Sequence, residues 1–561
     1  MKENVAVLPD TSPASFVQPQ ARWYHATWVV ALLVALPVIS VFYLALFPRE
    51  NIWPHLASTV LPHYIKTTLL LMLGVGTLSA VIGVSSAWLV TMCRFPGRKI
   101  FEWALLLPFA VPAYVIAYVY TDLLEYAGPL QMWLRELFGW QTARDYWFPD
   151  IRTLGGAILM LSLVLYPYVY LMARASFLEQ SNSIRDASRI LGCNSWQSFY
   201  RISLPLSRPA IAVGLSLVLM ETLNDFGTVD FFAVKSLSAG IYDTWLNMNN
   251  LGGAAQIASM MMIFVVMLIT LERIARSKQR QFHSADRFQA LEAFNLTGGK
   301  AIAATLTCLL PVLCGFAVPV VVLADYAWLH IDQLWSEGFV RYAANSFLLS
   351  ATAAVATVVI AILLAYSKRL HHERKSLVNA VRFSSLGYAM PGAVLAIGVI
   401  IPLAAFDNSL DGFMRQTFGI STGLLLSGTV FAVVFAYVVR FLAVSTGAID
   451  SSLAKVTPSM DMASRSLGQT PAQTLFRVHL PLIRGGMTTA LLVVFVDCMK
   501  ELPATLILRP FNFDTLATFV YQYASDEMLE ECALAALLIV IVGILPVILL
   551  SRSISGTRQE S

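Results

Sequence analysis

Two long apolar stretches of the sequence carry clustered ionisable side chains. Glu221 and Asp225 stand in one stretch, and Asp497, Lys500 and Glu501 stand in another. A charge in the hydrocarbon core of a membrane costs roughly 3 kcal/mol or more, so it normally faces a partner or a transport pathway. Carboxylates are hard oxygen ligands that suit a multivalent cation. These five residues are therefore candidates for a translocation path.

The spacing of the acids permits two interpretations. Glu221 with Asp225, and Asp497 with Glu501, have i,i+4 spacing, which predicts that each pair shares one helix face. In the first interpretation, the four carboxylates line a low-affinity path and contact a cation only transiently, with no tightly bound metal. In the second, they pair with Lys500, hydroxyls and backbone groups and fix helix packing. The sequence leaves both interpretations open.

A short pattern occurs twice, 276 residues apart, as Asp186-Ala-Ser-Arg-Ile-Leu-Gly192 and Met462-Ala-Ser-Arg-Ser-Leu-Gly468. Such a repeat indicates a tandem duplication. The same register places Glu221 opposite Asp497 and Asp225 opposite Glu501. We name residues 181–205 and 457–481 the first and second repeat segments.

Each repeat segment is predicted to form two short helices. In the second segment, Thr457 is predicted to cap the first helix with Pro458 at its first position, and Gly468 ends it. Thr470 and Gln473 have the spacing of a capping box for the second helix. The counterparts in the first segment are Ser181, Gly192, Asn194 and Gln197. Pro205 and Pro481 are predicted to stop the second helix of each copy.

Two roles fit such a segment. A rigid helical elbow on the inner surface can receive force from a soluble partner, whereas an amphipathic loop can simply lie at the membrane interface. The recurrence of the capping pattern in both copies favours the elbow.

Apolar runs position these residues. The chain is 57% hydrophobic and 13% charged, and a run of about 20 apolar residues spans a bilayer as a helix. An all-α polytopic membrane protein with about twelve spans is predicted: 28–47, 67–91, 101–121, 153–173, 209–231, 254–272, 301–324, 345–366, 383–403, 421–443, 485–508 and 532–551.

Charge distribution predicts the orientation. Most of the 38 Lys and Arg fall in loops that face the cytoplasm when the N-terminus is inside. Both termini are therefore predicted to be cytoplasmic, and the net charge of +4 reflects this bias and not nucleic acid binding. The predicted division is a cytoplasmic tail at 1–27, transmembrane domains at 28–272 and 301–561, and a cytoplasmic linker at 273–300.

Several function classes lack the residues they need. The six cysteines have no CxxC spacing and predict neither a disulfide framework nor a zinc site. Gly298-Gly-Lys300 lacks the flanking residues of a phosphate-binding loop, so the chain is predicted not to be an enzyme. A secondary transporter that uses the membrane acids as proton or sodium sites is an alternative, but it would not need two matched cytoplasmic segments.

The repeat segments resemble the signature of permeases of binding-protein-dependent ABC importers: Glu-Ala-Ala, three residues, Gly, nine residues, Ile-x-Leu-Pro. The matching residues are Asp186, Ala187, Gly192, Leu204 and Pro205 in the first copy, and Ala463, Gly468, Leu480 and Pro481 in the second. Met462 occupies the acidic position of the second copy, with Asp461 one residue earlier as an imperfect substitute.

This resemblance implies a type I importer with the MetI-like fold, built from two six-helix permease halves in the inner (plasma) membrane. It implies that each repeat segment docks onto one subunit of an ATPase homodimer on the cytoplasmic face. The ATPase would use ATP and Mg, while this chain would bind no cofactor. A periplasmic or extracellular binding protein would deliver the solute.

Two further stretches are similar to ferric iron permeases of that superfamily: Asn224-Asp-Phe-Gly-Thr-Val-Asp230 and Met499-Lys-Glu-Leu-Pro-Ala-Thr-Leu506. The similarity implies ferric iron as the substrate and a ferric-binding protein as the partner. Thiamine, polyamines or another small solute are the alternative substrates.

Overall fold

The computed structural model describes residues 14–178, 180, 195–279, 294–371 and 373–556. Regular structure in these ranges is helical except for one parallel pair of two-residue strands, Cys93–Arg94 and Phe294–Asn295. The predicted all-α class is confirmed.

Eleven of the described helices are long and apolar enough to cross a membrane, and a bent pair adds a twelfth span if both of its helices cross together. The bent pair is Arg98–Ala110 and Ala113–Phe138. The prediction of about twelve spans is confirmed. The other spans are Arg22–Leu46, Leu61–Met92, Leu154–Leu178, Phe199–Asn224, Leu251–Ala275, Gly299–Leu329, Glu337–Leu370, Gly392–Phe418, Val430–Leu453, Pro471–Met499 and Leu529–Ile548.

Several α-helices extend beyond these spans, and short helices connect them. The extended ones are Ala14–Leu46, Leu251–Gln279 and Leu529–Gly556. The short α-helices are Trp53–Ser58, Arg98–Ala104, Ala113–Leu124, Pro129–Phe138, Ser195–Ser198, Gly227–Phe231, Leu237–Tyr242, Lys375–Ser384, Pro458–Ser466, Pro471–Thr474, Pro503–Leu508 and Leu516–Ser525.

Four runs predicted as continuous helices are broken. In run 383–403, a 3₁₀ turn ends at Ala389 and an α-helix begins at Gly392. Run 101–121 bends by 90° before Ala113, where Pro112 has no N–H to continue the helical hydrogen bonds. Run 209–231 ends at Asn224 and resumes at Gly227–Phe231. Run 485–508 ends at Met499 and resumes at Pro503–Leu508. An acid that follows each of the last two helix ends, Asp225 directly after Asn224 and Glu501 two residues after Met499, caps the short helix beyond the break.

Pro205 and Pro481 do not stop a helix, so that prediction is wrong. Each follows a π-helical turn, Phe199–Ser203 or Leu475–His479, and lies at the second residue of the α-helix that continues from it. A π turn is wider than an α turn, so it accommodates the proline ring. It also tolerates the absence of a backbone N–H at the proline. The helix therefore continues through each proline.

The residues form two compact units, which are described separately. The larger comprises Pro37–Ala351, Ala389–Ala436 and Phe495–Ser561, and the smaller comprises Met1–Leu36, Thr352–Tyr388 and Tyr437–Val494.

In the larger unit, the helix Leu154–Leu178 packs closely against two neighbouring helices. A Cβ atom at Gly83 would lie 2.8 Å from Cβ of Val169, and one at Gly214 would lie 2.9 Å from Cα of Val169. Because real Cβ contacts are longer, only glycine permits this approach of the backbones.

The smaller unit contains the second repeat segment and parts of the helices Ala14–Leu46, Glu337–Leu370 and Val430–Leu453. Trp23 packs edge-on against Tyr366, with ring centroids 5.2 Å apart. The hydroxyl of Ser367 donates to the carbonyl of Trp23 at 3.2 Å.

Candidate functional site

The second repeat segment forms the predicted pair of helices, Pro458–Ser466 and Pro471–Thr474. Thr457 occupies the N-cap position and Pro458 follows it, but the Thr457 hydroxyl bonds to Ser459 Oγ at 2.8 Å instead of a backbone amide. Gly468 follows the first helix with a φ of +75°, the left-handed conformation that glycine adopts without steric cost.

The predicted capping box of the second helix is confirmed. Thr470 Oγ1 accepts from the Gln473 N–H at 3.3 Å, and Gln473 Oε1 accepts from the Thr470 N–H at 2.9 Å. Two donors that a helix N-terminus leaves unsatisfied are thus paired. The orientation of the second helix is fixed by local chemistry.

Asp461 connects the segment to a long helix. Its carboxylate accepts from Arg369 Nε at 2.8 Å and contacts His479 Nε2 at 2.6 Å. Arg369 also donates to the carbonyls of Leu453 and Val456, each at 2.8 Å. Arg369 therefore holds the helix Glu337–Leu370 to three points that precede or belong to the repeat segment.

Two further contacts hold the second helix of the segment. The Tyr366 hydroxyl donates to the Pro471 carbonyl at 2.7 Å, and its ring packs edge-on against His479. Inside the segment, the hydroxyls of Ser464 and Thr474 are 2.8 Å apart. The sequence did not predict Tyr366, Arg369 or His479, because these contacts join residues far apart in the chain. In the sequence, these three residues stand out only as polar side chains at the edge of an apolar run.

The outer surface of the segment carries large apolar side chains. Met462 is 61% exposed, Leu467 80% and Phe476 67%; Ala463 and Gly468 are also exposed. Met462 presents an apolar group at the acidic position of the motif, while Asp461 faces inward and does not supply the missing acid at the surface.

Most of the first repeat segment lies outside the described residues, including Asp186, Ala187, Gly192 and the predicted caps Ser181 and Asn194. Its end is described: Leu204 and Pro205 begin the helix Leu204–Asn224 and are half-buried. In the second copy, Leu480 begins the corresponding helix, half-buried, and Pro481 is exposed.

Glu501 caps the short helix Pro503–Leu508. Its Oε1 accepts from the Ala504 N–H at 3.1 Å, and its Oε2 accepts from the Thr505 N–H at 3.2 Å and hydroxyl at 2.9 Å. Glu501 is only 4% exposed. A carboxylate at a helix N-terminus is stabilised both by these donors and by the helix dipole.

Asp225 plays the same part for Gly227–Phe231. Its Oδ1 accepts from the Thr228 and Val229 N–H groups at 3.1 and 3.2 Å, and its Oδ2 accepts from the Thr228 hydroxyl at 3.1 Å. Because the preceding helix ends at Asn224, Asp225 does not continue the helix face of Glu221 as the spacing predicted.

Glu221 and Asp497 lie one turn before the two capping acids, and Lys500 directly precedes Glu501. Asp497 Oδ1 is 2.9 Å from Lys500 Nζ, which also lies 4.6 Å from the centre of the Phe109 ring. Glu221 is half-buried in the last turn of its helix, and its carbonyl accepts from the Asp225 N–H at 2.9 Å. Contact of any of these residues with a transported cation stays a prediction. Among the described residues, no three His, Cys, Asp or Glu side chains lie close enough together to hold a metal ion.

Several acids near the start of the helix Leu529–Gly556 have partners or helix-terminal positions. Glu530 and Glu531 lie in the first turn of Leu529–Gly556, where the helix dipole favours negative charge. Glu527 is 3.3 Å from Arg152, which is also 2.6 Å from Glu125.

The two helix breaks pack against each other. A Cβ atom at Gly227 would lie 2.9 Å from Leu502 Cδ2 and 2.7 Å from Tyr114 Cβ. The Tyr242 hydroxyl donates to the Pro503 carbonyl. The repeated sequence pattern did not predict this junction, because the junction joins residues of one predicted half to residues of the other.

Residues 79–281 match the model of the family described as binding-protein-dependent transport system inner membrane component. The match contains the whole first repeat segment and the helix break that follows it.

Three relatives span different shares of the chain. The Fe(3+)-transport system permease protein FbpB 2 of Haemophilus influenzae is 25% identical over 494 residues, which are 87% of this chain and 89% of that protein. The ferric transport system permease protein FbpB of Actinobacillus pleuropneumoniae is 22% identical over 545 residues, 91% of this chain and 75% of the relative. The sulfate transport system permease protein CysW of Escherichia coli is 30% identical over 209 residues, 36% of this chain and 66% of the relative.

Proposed function

We propose that the chain, which is a binding-protein-dependent transport inner membrane component, a multi-pass permease and not an enzyme, imports ferric iron. A separate ATPase homodimer on the cytoplasmic face powers transport, and a periplasmic or extracellular ferric-binding protein delivers the ion. ATP and Mg are used by that ATPase, and this chain binds no cofactor.

The extent of the similarity to two ferric permeases carries the proposal for iron. These relatives align with 87% and 91% of the chain, so each alignment includes parts of both predicted halves. The relative named as a sulfate permease aligns with 36%. In transporters built from two repeats, the substrate site lies between the repeats. Similarity that extends through both halves therefore includes the residues on both sides of such a path.

We further propose that the chain consists of two tandem six-helix halves of the MetI-like, type I kind, at residues 28–272 and 301–561, with both termini in the cytoplasm. Two recurring local structures support this. A π turn precedes the proline at Phe199–Ser203 and at Leu475–His479. A capping carboxylate then follows the same helix, from Asp225 and from Glu501.

A third recurrence involves long-range contacts. The Leu237 N–H donates to Thr68 Oγ1 at 3.0 Å, and the Leu516 N–H donates to Ser346 Oγ at 2.7 Å. In both cases the donor begins a short helix beyond the break. Repetition of the same contact supports a duplicated fold more strongly than repetition of sequence letters alone.

The two repeat segments are the proposed docking sites for the ATPase subunits. Met462, Leu467 and Phe476 present apolar side chains that the groove of a partner can cover, with about 1.5 to 3 kcal/mol for each side chain fully buried. The contacts of Asp461 and Tyr366 make the segment rigid, so movement of the partner is transmitted to the attached helices.

The proposed path passes between the two helix breaks, near Glu221, Asp225, Asp497, Lys500 and Glu501. ATP closes the ATPase dimer, the repeat segments move with it, and the halves open outward to accept the ion. Hydrolysis restores the inward-facing state. Asp225 and Glu501 shape the breaks through their caps, since their oxygens already accept backbone and hydroxyl donors.

The substrate is tested by ATPase stimulation. The chain is placed in nanodiscs with its ATPase, and ATP hydrolysis is measured with the ferric-loaded binding protein, with the same protein free of iron, and with binding proteins loaded with sulfate, thiamine or putrescine. Stimulation by the ferric-loaded protein alone is expected. Stimulation by one of the other loaded proteins would retain the permease and overturn iron.

A further inference from the structure

Tyr242 and Tyr521 occupy equivalent positions beyond the two helix breaks. Each is the sixth residue after the hydroxyl residue that caps its helix, Ser236 for Leu237–Tyr242 and Thr515 for Leu516–Ser525. Both caps accept from the N–H three residues later. The two tyrosines are thus presented by the same local structure.

The hydroxyls of these tyrosines cross reciprocally between the predicted halves. Tyr242 of the first half donates to the carbonyl of Pro503, at the start of the second half's capped short helix. Tyr521 of the second half donates to Oδ2 of Asp230, in the first half's capped short helix, at 2.6 Å. Each tyrosine binds the break of the opposite half.

The rings are packed as well as bonded. Phe226, which precedes Gly227 at the first break, stacks on Tyr242 with ring centroids 3.6 Å apart and lies 5.9 Å from the ring of Tyr521. Tyr242 is buried. One aromatic side chain at the break therefore contacts both tyrosines.

We propose that the hydrogen bonds Tyr242–Pro503 and Tyr521–Asp230 form a gate, the tyrosine gate, which closes the translocation path between the two breaks. The inference rests on the proposed function, because alternating access requires the halves to separate at this junction. Separation breaks both bonds together, since each joins one half to the other.

The acceptors of the two bonds differ. Pro503 offers a neutral carbonyl, whereas Asp230 offers a carboxylate, and hydrogen bonds to charged acceptors are stronger. Loss of the bond to the neutral carbonyl changes an opening equilibrium about five-fold, and loss of the bond to the carboxylate changes it more. We expect the Tyr521 bond to contribute the larger share of gate stability.

Hydrogen exchange on the full chain in nanodiscs tests the gate without ATPase or iron. Local opening limits amide exchange in buried segments. Tyr242→Phe and Tyr521→Phe each remove one oxygen and keep the ring. Exchange in Gly227–Phe231 and Pro503–Leu508 is expected to accelerate about five-fold in Tyr242→Phe and more in Tyr521→Phe. The acceleration in the double variant is expected to be the product of the two, as for independent contributions.

Tyr170→Phe is the matched control. The Tyr170 hydroxyl donates to the Glu102 carbonyl at 3.0 Å, which is the same kind of bond as Tyr242 to Pro503, but both of its residues belong to the first predicted half. Exchange at the two breaks in this variant is expected to equal that of the wild type, because separation of the halves leaves this bond intact. Unchanged exchange in the double variant overturns the gate, and so does equal acceleration in the Tyr170→Phe control.

A second readout uses the complete complex. Without a binding protein, the double variant should hydrolyse ATP faster than the wild type, because the closed state no longer restrains the halves. An unchanged basal rate overturns the role of the gate in transport. Faster exchange and hydrolysis in a complex that imports another solute would retain the gate and reject iron.

Discussion

The carboxylate of Asp461 lies 2.8 Å from Nε of Arg369 and joins the second repeat segment to the helix Glu337–Leu370. Both side chains are largely buried, at 22% and 19% exposure, so water screens the pair less than a surface ion pair. We expect a displacement of the segment to be transmitted to this helix through the contact.

Asp461→Asn should uncouple ATP hydrolysis from transport. The variant removes the charge that holds Arg369 and His479, and we expect a loss of about 1 to 3 kcal/mol in the free energy that orders the segment. ATP hydrolysis by the complex should continue while solute uptake per ATP falls several-fold. The measurement is the ratio of the two rates in proteoliposomes.

Asp450→Asn is the control for that variant. Asp450 pairs with Lys368, the neighbour of Arg369, at 2.6 Å, but it belongs to the helix Val430–Leu453 and not to the repeat segment. It should leave the ratio near the wild-type value. Equal uncoupling by both variants would show that the Asp461 contact has no special part in transmission.

Glu501 should act mainly as a helix cap. Glu501→Ala leaves the amides of Ala504 and Thr505 without their acceptor, and we expect the free energy of unfolding to fall by about 1 to 2 kcal/mol. Glu501→Gln retains an acceptor oxygen, so the free energy of unfolding should fall less and most of the uptake should be preserved. Thermal unfolding in nanodiscs and uptake measure the two effects, with Asp526→Ala as an exposed acid for comparison.

A different outcome would identify Glu501 as a direct cation ligand. In that case, Glu501→Gln would unfold like the wild type and yet lose uptake, because the amide keeps the cap and removes the charge.

Gly468 should tolerate substitution only by residues that accept a left-handed backbone. Its φ is +75°, its N–H donates to the Arg465 carbonyl at 2.9 Å, and a Cβ atom there would meet nothing within 4 Å. Gly468→Ala therefore carries only backbone strain, about 1 to 2 kcal/mol. Gly468→Pro also loses the donor and should uncouple ATP use from transport.

Gly468→Asn is the matched variant, because asparagine enters the left-handed region more readily than other side chains. Gly468→Asn should give more solute uptake per ATP hydrolysed than Gly468→Ala. The same coupling in Gly468→Pro as in the wild type would contradict a mechanical role for the turn.

Local signals in the sequence predicted much of this structure. Thr470 and Gln473 predicted a capping box that is present, because its partners are three residues apart. Apolar runs predicted the spans, since a bilayer fixes their length. Pro481 misled the prediction, because the π turn Leu475–His479 that accommodates it has no simple sequence pattern.

Contacts that depend on helix ends or on the packing of separate helices were not predictable from the sequence. Asp225 and Glu501 were identified as important acids, but their caps depend on where the preceding helices end. The reciprocal partners of Tyr242 and Tyr521 depend on how the breaks pack. The sequence identifies which residues could take part in a site, but the packing of the folded chain determines which of them are in contact.

Uptake of ⁵⁵Fe³⁺ into proteoliposomes measures ferric iron import itself. The liposomes contain the chain with its ATPase, ATP is enclosed with the ATPase, and the loaded binding protein is supplied on the opposite side. We expect iron accumulation that requires both ATP and the binding protein, with no accumulation of labelled sulfate, thiamine or putrescine. Accumulation of one of those solutes in place of iron would exclude ferric iron as the substrate.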